Sequence, residues 1–352
     1  MAVNTFTPAQ MIATYGRKDI KAYALKPLFT ELFFPGVATF STREIMLDTL
    51  DIEDVVMSAF CSPMVGSRVQ RDKGYDTNSF VPGYLKPKHE IDPTKTSFRL
   101  AGEDPFAMRD PTYRRLRLIS DNLQRQMQSI KARVEWLAVN AITTGKNIID
   151  GDGIERYELD WKLPVSNVIT QAPGVAWSEQ DAETFDPSDD IELYAEVSEG
   201  VINVIVMGGN AWRTLRRFKK FREMFDTRRG SESRAELAVK DLGDTVSFKG
   251  YLGDVALIVY SGKYKDDEGN ENYFLDPDCM VFGNTNNQGL VAYGAIMDQD
   301  AVRSGEVENQ YYPKNWVQPG DPAIEYVQTH SAPQPVPVDI GKFVTVQIGR
   351  AH

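Results

Sequence analysis

The longest regular hydrophobic pattern in the chain lies between residues 111 and 144. Apolar side chains recur there at spacings of three and four, the period of one helix face: Leu116, Ile119, Leu123, Met127, Ile130, Val134, Leu137 and Ala141. Asp110 and Pro111 form a start signal and Gly145 a stop signal. The pattern predicts a rod of roughly 50 Å. Its polar face, available to water or a neighbour, carries Arg114, Arg117, Asn122, Arg125, Gln128 and Arg133.

Downstream of residue 200, short apolar runs alternate with helical patterns. Strands are predicted at 201–207, 246–249, 254–260, 280–282, 290–296, 324–328 and 343–349, and helices at 211–225 and 231–241. A proline-rich bend, SAPQPVPV, separates the last two strands. Shorter helices are predicted between Thr7 and Gly16 and after the capping residue Asp186. This mixture indicates an α+β chain with a mixed second domain.

The stretch FVPGYLKPKHEIDPT, residues 80–94, is cut by three prolines and a glycine. It belongs to residues 66–105, which show no helical period and are too long for an ordinary connection. Recurring tyrosine, phenylalanine and valine argue against a disordered linker. We therefore expect an extended two-stranded excursion without a partner in its own domain. The apolar cluster in KPLFTELFFPG, residues 26–36, is expected to pack on the chain's own core, with an intersubunit contact as the alternative.

The charge balance limits the classes of function. With 39 basic and 50 acidic residues among 352, the formal net charge is −11, which argues against a general nucleic-acid binder. The longest apolar run, residues 201–209, is too short to span a membrane, and the first residues lack a secretory pattern, so a cytoplasmic start is expected. Cys61 and Cys279 have no metal-type spacing and are expected to be buried and reduced.

No catalytic or nucleotide-binding motif occurs in the chain. His89 has no recognisable nucleophile beside it, so it is interpreted as a surface histidine rather than a general base. The acidic region between residues 147 and 200 leaves a calcium site open as an alternative, although it lacks the EF-hand pattern. We therefore expect no enzyme activity, no cofactor and no metal.

The most basic window is RTLRRFKKFREMFDTRRG, residues 213–230. Two interpretations remain for it: charge pairing with acidic loops, between subunits or in the axial domain, and binding of nucleic acid by a regulator. The acidity of the rest of the chain favours charge pairing from subunit to subunit. The residues expected to take part are Arg216, Arg217, Lys219, Lys220, Arg228 and Arg229.

Several long segments resemble, in the same order, the major head proteins of bacteriophage lambda and its prophage relatives. They are FVPGYLKPKHEIDP, EDPFAMRDPTYRRLR, FDPSDDIELYA, DTRRGSESRAELAVKDLG, SFKGYLGDVALIVYSG, YPKNWVQPGDPA and FVTVQI. The resemblance covers residues from about 45 to the C-terminus. It implies the tailed-phage major capsid fold of Hong Kong 97 type and a structural role in an icosahedral shell.

The resemblance also implies an organisation into parts. These are an N-terminal arm (1–45), a peripheral domain (46–200), an axial domain (201–320) and returning peripheral strands (321–352). Within the peripheral domain it implies an extended E-loop at about 60–105, a spine helix at 111–144 and an acidic insertion at 146–190.

The implied partners are further copies of the chain in pentamers and hexamers, the scaffold, portal and decoration proteins of a phage head, and DNA held weakly and non-specifically. No membrane partner is expected. The protein would occupy the host cytoplasm during assembly and the virion afterwards. Since residues 66–100 carry seven basic and four acidic side chains, the E-loop residues expected to touch a neighbouring subunit are Arg68, Arg71, Lys73, Tyr84, Lys86 and Lys88.

Overall fold

The computed structural model describes residues 27–49, 76–98, 110–224, 245–266 and 268–348. The helices in these ranges are α1 (Leu28–Phe33), α2 (Pro93–Ser97), α3 (Pro111–Thr144), α4 (Ser188–Glu196), α5 (Gly209–Leu215), α6 (Lys219–Met224) and α7 (Gln299–Ser304). The strands of the first half are β1 (Gly36–Thr39), β2 (Ile45–Thr49), β3 (Asp76–Phe80), β4 (Lys88–Ile91), β5 (Lys146–Gly151), β6 (Ile154–Asp160) and β7 (Val168–Thr170). Those of the second half are β8 (Val204–Met207), β9 (Val246–Leu252), β10 (Val255–Tyr260), β11 (Lys263–Lys265), β12 (Glu271–Tyr273), β13 (Cys279–Gly283), β14 (Leu290–Tyr293), β15 (Tyr312–Gln318), β16 (Ile324–His330), β17 (Pro333–Val336) and β18 (Val344–Gln347).

Helix α3 has the bounds that its sequence pattern predicts. The Asp110 side chain accepts a hydrogen bond from the Thr112 amide, and Gly145 ends the helix in the left-handed conformation. Most of the apolar stripe is buried, although Leu116 remains 42% exposed. The expected polar face is wrong at Asn122, which is buried.

A six-stranded sheet with the order β7-β18-β13-β8-β10-β9 forms the centre of the molecule. β8 is buried along its whole length because its alternate side chains enter two different cores. Val204 and Val206 join the cluster that contains α1 and α3. Ile205 and Met207 join the cluster that contains α5 and Phe221 of α6. The long helix and the apolar segment before β1 therefore cover one face of this sheet.

The apolar segment is α1, and it packs on the chain's own core as expected. Leu28, Phe29, Leu32, Phe33 and Phe34 are all at most 2% exposed. The ring of Phe33 meets that of Phe343 edge to face at 5.1 Å.

The segment FVPGYLKPKHEIDPT has a partner in its own chain, contrary to expectation. β4 pairs antiparallel with β16 at the edge of the sheet β15-β16-β4, and Leu85 forms an antiparallel bridge with Ser331. This pairing is possible because Pro82, Pro87 and Pro93 flank β4 and do not interrupt it.

Two other sequence patterns, the proline-rich bend and the helix predicted at 211–225, form structures that differ from the prediction. The proline-rich bend contains the strand β17, which pairs with β14 at the edge of the sheet β1-β14-β17, where proline is tolerated. The helix expected at 211–225 is divided into α5 and α6, and the Lys219 amide donates to the carbonyl of Ala182.

The remaining elements agree with the sequence to different degrees. α4 begins near Asp186, whose carboxylate accepts from the Ser188 amide, and the thiol of Cys279 is buried. β18 pairs with both β13 and β7, so it joins segments assigned to the axial and peripheral domains. The helices predicted at 7–16 and 231–241 and the residue Cys61 lie outside the described residues.

Candidate assembly surfaces

The strands β2 and β3 form an antiparallel pair of their own, here called the ribbon. At its base, Ile45 and Phe80 are paired and buried, in a cluster with Ala292 and Val336. One residue further along, Met46 is 65% exposed. The Ile45–Phe80 pair thus fixes the base of the ribbon to the core, while the opposite face at Met46 is open to solvent.

The residues that follow the ribbon lie against their own chain. The Phe80 ring packs edge to face on Trp161 at 5.6 Å, and the Tyr157 hydroxyl donates to the Val81 carbonyl at 2.7 Å. The amide of Leu85 donates to the Ser331 carbonyl at 2.8 Å, and the Ser331 amide returns a bond of 3.1 Å. Backbone and side-chain contacts together hold residues 81–85, the leg that leaves the ribbon, against the rest of the chain.

Tyr84, one of the expected intersubunit residues, is engaged within the chain. Its hydroxyl accepts from the Met297 amide at 3.0 Å and lies 2.9 Å from Nδ1 of His330. Burial raises the pKa of Tyr84 to about 12, although the Met297 hydrogen bond acts in the opposite direction. The hydroxyl is therefore neutral and joins three separate segments.

Lys86 and Lys88 are exposed on the same part of the surface. The ammonium of Lys88 lies 3.7 Å from the ring centroid of Tyr326 and 5.2 Å from that of Trp316. The ammonium of Lys86 lies 5.8 Å from the ring centroid of Tyr84. Contact with a second subunit stays a prediction for these residues. Arg68, Arg71 and Lys73 lie outside the described residues.

The basic window meets the acidic region of the same chain. One terminal nitrogen of Arg217 donates to the carbonyl oxygens of Trp177, Ser178 and Gln180 at 3.0–3.3 Å. Lys219 lies 3.7 Å from Glu183, and Lys220 lies 3.8 Å from Asp186. The side chain of Arg216 is exposed, and Arg228 and Arg229 lie outside the described residues. Contacts with the acidic insertion of the same chain thus engage part of this window, whereas pairing between subunits stays a prediction.

A buried carboxylate that sequence reasoning missed anchors α1. Glu135 of α3 accepts from the Phe29 amide at 2.8 Å and from the amide and hydroxyl of Thr30 at 3.0 and 2.8 Å. These bonds satisfy backbone N–H groups at the N-terminus of α1, where the N-cap residue Pro27 makes no side-chain hydrogen bond. Burial raises the pKa of Glu135, whereas the hydrogen bonds from Thr30 and Phe29 lower it. The sequence signal for the burial of Glu135 was its position three residues before Ala138, on the apolar side of the helix.

A polar seam fastens α3 to β16. Arg115 makes two bonds of 2.6–2.7 Å to Glu325, which also accepts from Asn315 at 2.8 Å. Further along, Gln126 donates to the Val327 carbonyl at 2.8 Å and lies 3.0 Å from Nδ1 of His89. His89 is therefore half-buried against the helix and is not the plain surface histidine that was expected.

Within the ranges that the structure describes, no group of three or more histidine, cysteine or acidic residues could hold a metal ion. None of the helices in those ranges combines the length and the apolar character needed to cross a membrane.

Comparison with known proteins gives matches over nearly the whole chain. A family profile described as phage major capsid protein E matches residues 19–348. Curated relatives are 42–45% identical. One of them, the major capsid protein of Escherichia phage lambda, is 43% identical over 98% of this chain and 100% of its own length.

Solved structures agree with the sequence matches. A crystal structure of a protein assigned as a capsid protein of a prophage of Escherichia coli CFT073 superposes with a TM-score of 0.84 at 68% identity, covering 98% of this chain and 99% of that one. The capsid subunit of cyanophage A-1(L) has a TM-score of 0.53 at 11% identity, covering 94% and 96%, which shows a shared fold. The expected tailed-phage capsid fold of Hong Kong 97 type is therefore confirmed.

Proposed function

The chain belongs to the phage major capsid protein E family, and from this premise we propose that it assembles through pentamers and hexamers into an icosahedral shell around double-stranded DNA. The observation that carries the proposal is the 43% identity to the lambda major capsid protein over the full length of that relative. The resemblance noted in the sequence led to the same family.

The ribbon supports self-association because its two strands have no further strand partner among the described residues. Backbone groups at such edges gain hydrogen bonds when another chain lies alongside them. We expect a second copy to supply these bonds. The basic side chains expected near the ribbon would then steer the acidic neighbour into place.

Further partners follow from the kind of shell. From the similarity to the lambda major capsid protein we propose that this chain meets a scaffold protein, a portal and a decoration protein. Contact with the packaged DNA is expected to be weak and non-specific, because a chain with a net charge of −11 repels polyphosphate at close range. Assembly would take place in the host cytoplasm.

A role in catalysis is not expected of a family of structural shell proteins. The alternative of a nucleic-acid-binding regulator that uses residues 213–229 is not supported. Arg217, Lys219 and Lys220 in that window already face carbonyl and carboxylate groups of their own chain.

Expression of the chain together with a scaffold protein, followed by electron microscopy, tests the proposal. Closed shells built of pentamers and hexamers are the expected result, and compact monomers that persist at high concentration would contradict it. A DNA-binding titration of the unassembled subunit distinguishes the alternative, because a regulator would bind tightly and with a steep dependence on salt.

A further inference from the structure

The base of the ribbon is held by groups from three distant parts of the chain. We propose that Tyr84 and Tyr157 are positioning residues whose hydroxyls fix the direction in which the ribbon leaves the subunit. The inference rests on the proposed function, since direction matters only if a second copy receives the ribbon. It differs from the expectation that Tyr84 itself touches a neighbour.

The leg that enters the ribbon is fastened by its backbone. The Phe40 amide donates to the Tyr293 carbonyl at 2.9 Å, and the Ala295 amide donates to the Thr42 carbonyl at 3.1 Å. These bonds align residues 40–42 with the end of β14 before the chain turns into β2. This leg therefore depends little on any single side chain.

The leg that leaves the ribbon depends more on side chains. Between Phe80 and Leu85, the hydrogen bond at Val81 comes from the Tyr157 hydroxyl on β6, and Tyr84 supplies its own hydroxyl to the body. Pro82 is buried against Gly294, where an added Cβ would come within 3.2 Å of the proline ring. The two tyrosines thus hold this leg at two points, Val81 and Tyr84, on either side of Pro82 and Gly83.

The Tyr84 hydroxyl makes two hydrogen bonds to the body of the subunit. Because the Met297 amide can only donate, the tyrosine oxygen accepts from it at 3.0 Å. The second hydrogen bond, of 2.9 Å, joins the hydroxyl to Nδ1 of His330. A phenylalanine at position 84 would leave both the Met297 amide and the His330 nitrogen without this partner.

Pro82 is packed, but space remains beside this leg. A cavity of about 200 Å³ adjoins it, lined among others by Arg43, Pro82, Tyr84, Tyr157 and Met297. Where side chains leave such space, a segment can shift without a steric clash, so directional hydrogen bonds decide its position. Loss of the two hydroxyls should accordingly loosen the ribbon base and leave the cores intact.

The test uses full-length Tyr84→Phe, Tyr157→Phe and the double variant, with Tyr273→Phe as control because Tyr273 is 43% exposed on β12. The Tyr84 hydroxyl makes two hydrogen bonds and the Tyr157 hydroxyl one, each worth about 1 kcal/mol, so we expect the melting temperature of this chain of 352 residues to shift by less than about 5 °C. Amide exchange at Leu85 and Ser331 should rise on the order of fivefold to tenfold, the factor for one lost hydrogen bond. With scaffold, the double variant should lose most of its yield of regular shells.

Wild-type yield and shell diameter in the double variant would overturn the inference, as would equal losses in the Tyr273→Phe control. If the double variant fails to fold, the two single variants are judged by the same criteria. Failure of the wild type to form shells would instead count against the proposed function. The two ideas are therefore distinguished by the same set of samples.

Discussion

Glu135 holds the first described helix against α3 through three hydrogen bonds from two adjacent residues. Its replacement by alanine leaves these donors without a partner in a buried site. We expect Glu135→Ala to lower the free energy of unfolding by roughly 3 kcal/mol, measured as a shift of the urea midpoint at constant slope.

The control for this prediction is Glu192→Ala, because Glu192 is an exposed glutamate in the middle of α4. It should change the free energy of unfolding by no more than about 0.5 kcal/mol. Glu135→Gln should fall between the two, since an amide keeps one acceptor oxygen but turns a donor towards α1. Equal effects of the two alanine variants would show that the carboxylate does not anchor α1.

His330 gives a prediction about pH. Burial lowers the pKa of His330, with Asp298 opposing the shift and Lys86 and Lys314 reinforcing it. A lowered pKa in the folded state means that stability is complete above the unfolded value of about 6.5 and falls as the pH drops towards the folded value. Wild-type stability should therefore decrease between about pH 7 and pH 5.5.

The variant His330→Asn tests this origin, because asparagine offers an oxygen near the position of Nδ1 and does not titrate. Its unfolding midpoint should depend less on pH over the same interval. His89 also has a lowered pKa, caused by burial and by Arg125, so some dependence should remain in this variant. An unchanged pH profile in His330→Asn would contradict the assignment.

At the level of elements, the end of α3 is determined by Gly145. Its φ of +69° lies in the left-handed region, and a Cβ at this position would collide with the side chain of Leu163. Gly145→Ala should therefore combine a backbone strain of about 1–2 kcal/mol with an overpacking cost of about 1–3 kcal/mol.

Gly153 is a matched control for Gly145. Its φ of +74° is similar, but nothing lies within 4 Å of an added Cβ. Gly153→Ala should show the backbone cost alone, and the difference between the two urea midpoints measures the collision. If both variants lost the same stability, Leu163 would have no part in ending the helix.

The elements also show which structural features local sequence can determine. α3 was predictable from cap to cap because its period, its N-cap and its glycine stop are all encoded within 36 consecutive residues, 110–145. β4 and β17 were not, because their strand character depends on partners at least 40 residues away, in β16 and β14. Non-local pairing overrides the turn signal of a proline whenever the proline lies at a sheet edge.

For the molecule as a whole, the sequence predicts the functional class but not the contacts between distant segments. Charge and the absence of motifs indicate an assembly protein, and the resemblance indicates that the assembly is a capsid shell. The partners of Tyr84 and Arg217 could not be inferred, because both depend on which loops the fold brings together. The sequence around a basic side chain does not show whether its acceptor belongs to the same chain or to another.

Lys86 and Lys88 provide the test of that ambiguity. Neither forms an ion pair with another described residue, and the contact of Lys88 with the Tyr326 ring is worth only about 0.5–1 kcal/mol at an exposed site. We therefore expect their charge to be available to a second copy of an acidic chain. The double variant Lys86→Glu/Lys88→Glu should keep nearly the wild-type melting temperature but assemble more slowly, as followed by light scattering with scaffold present.

The matched control is Lys263→Glu/Lys265→Glu on β11. It changes the net charge by the same amount and also removes an ammonium that lies over a ring, Lys263 over Tyr273 at 4.9 Å. It additionally breaks the exposed 3.6 Å ion pair of Lys263 with Glu271, so its melting temperature is measured alongside its assembly rate. Because steering by exposed charges is screened by salt, the defect at 86 and 88 should shrink as ionic strength rises. Equal assembly rates for the two double variants at low salt would mean that only net charge matters, and that these lysines face solvent in the shell.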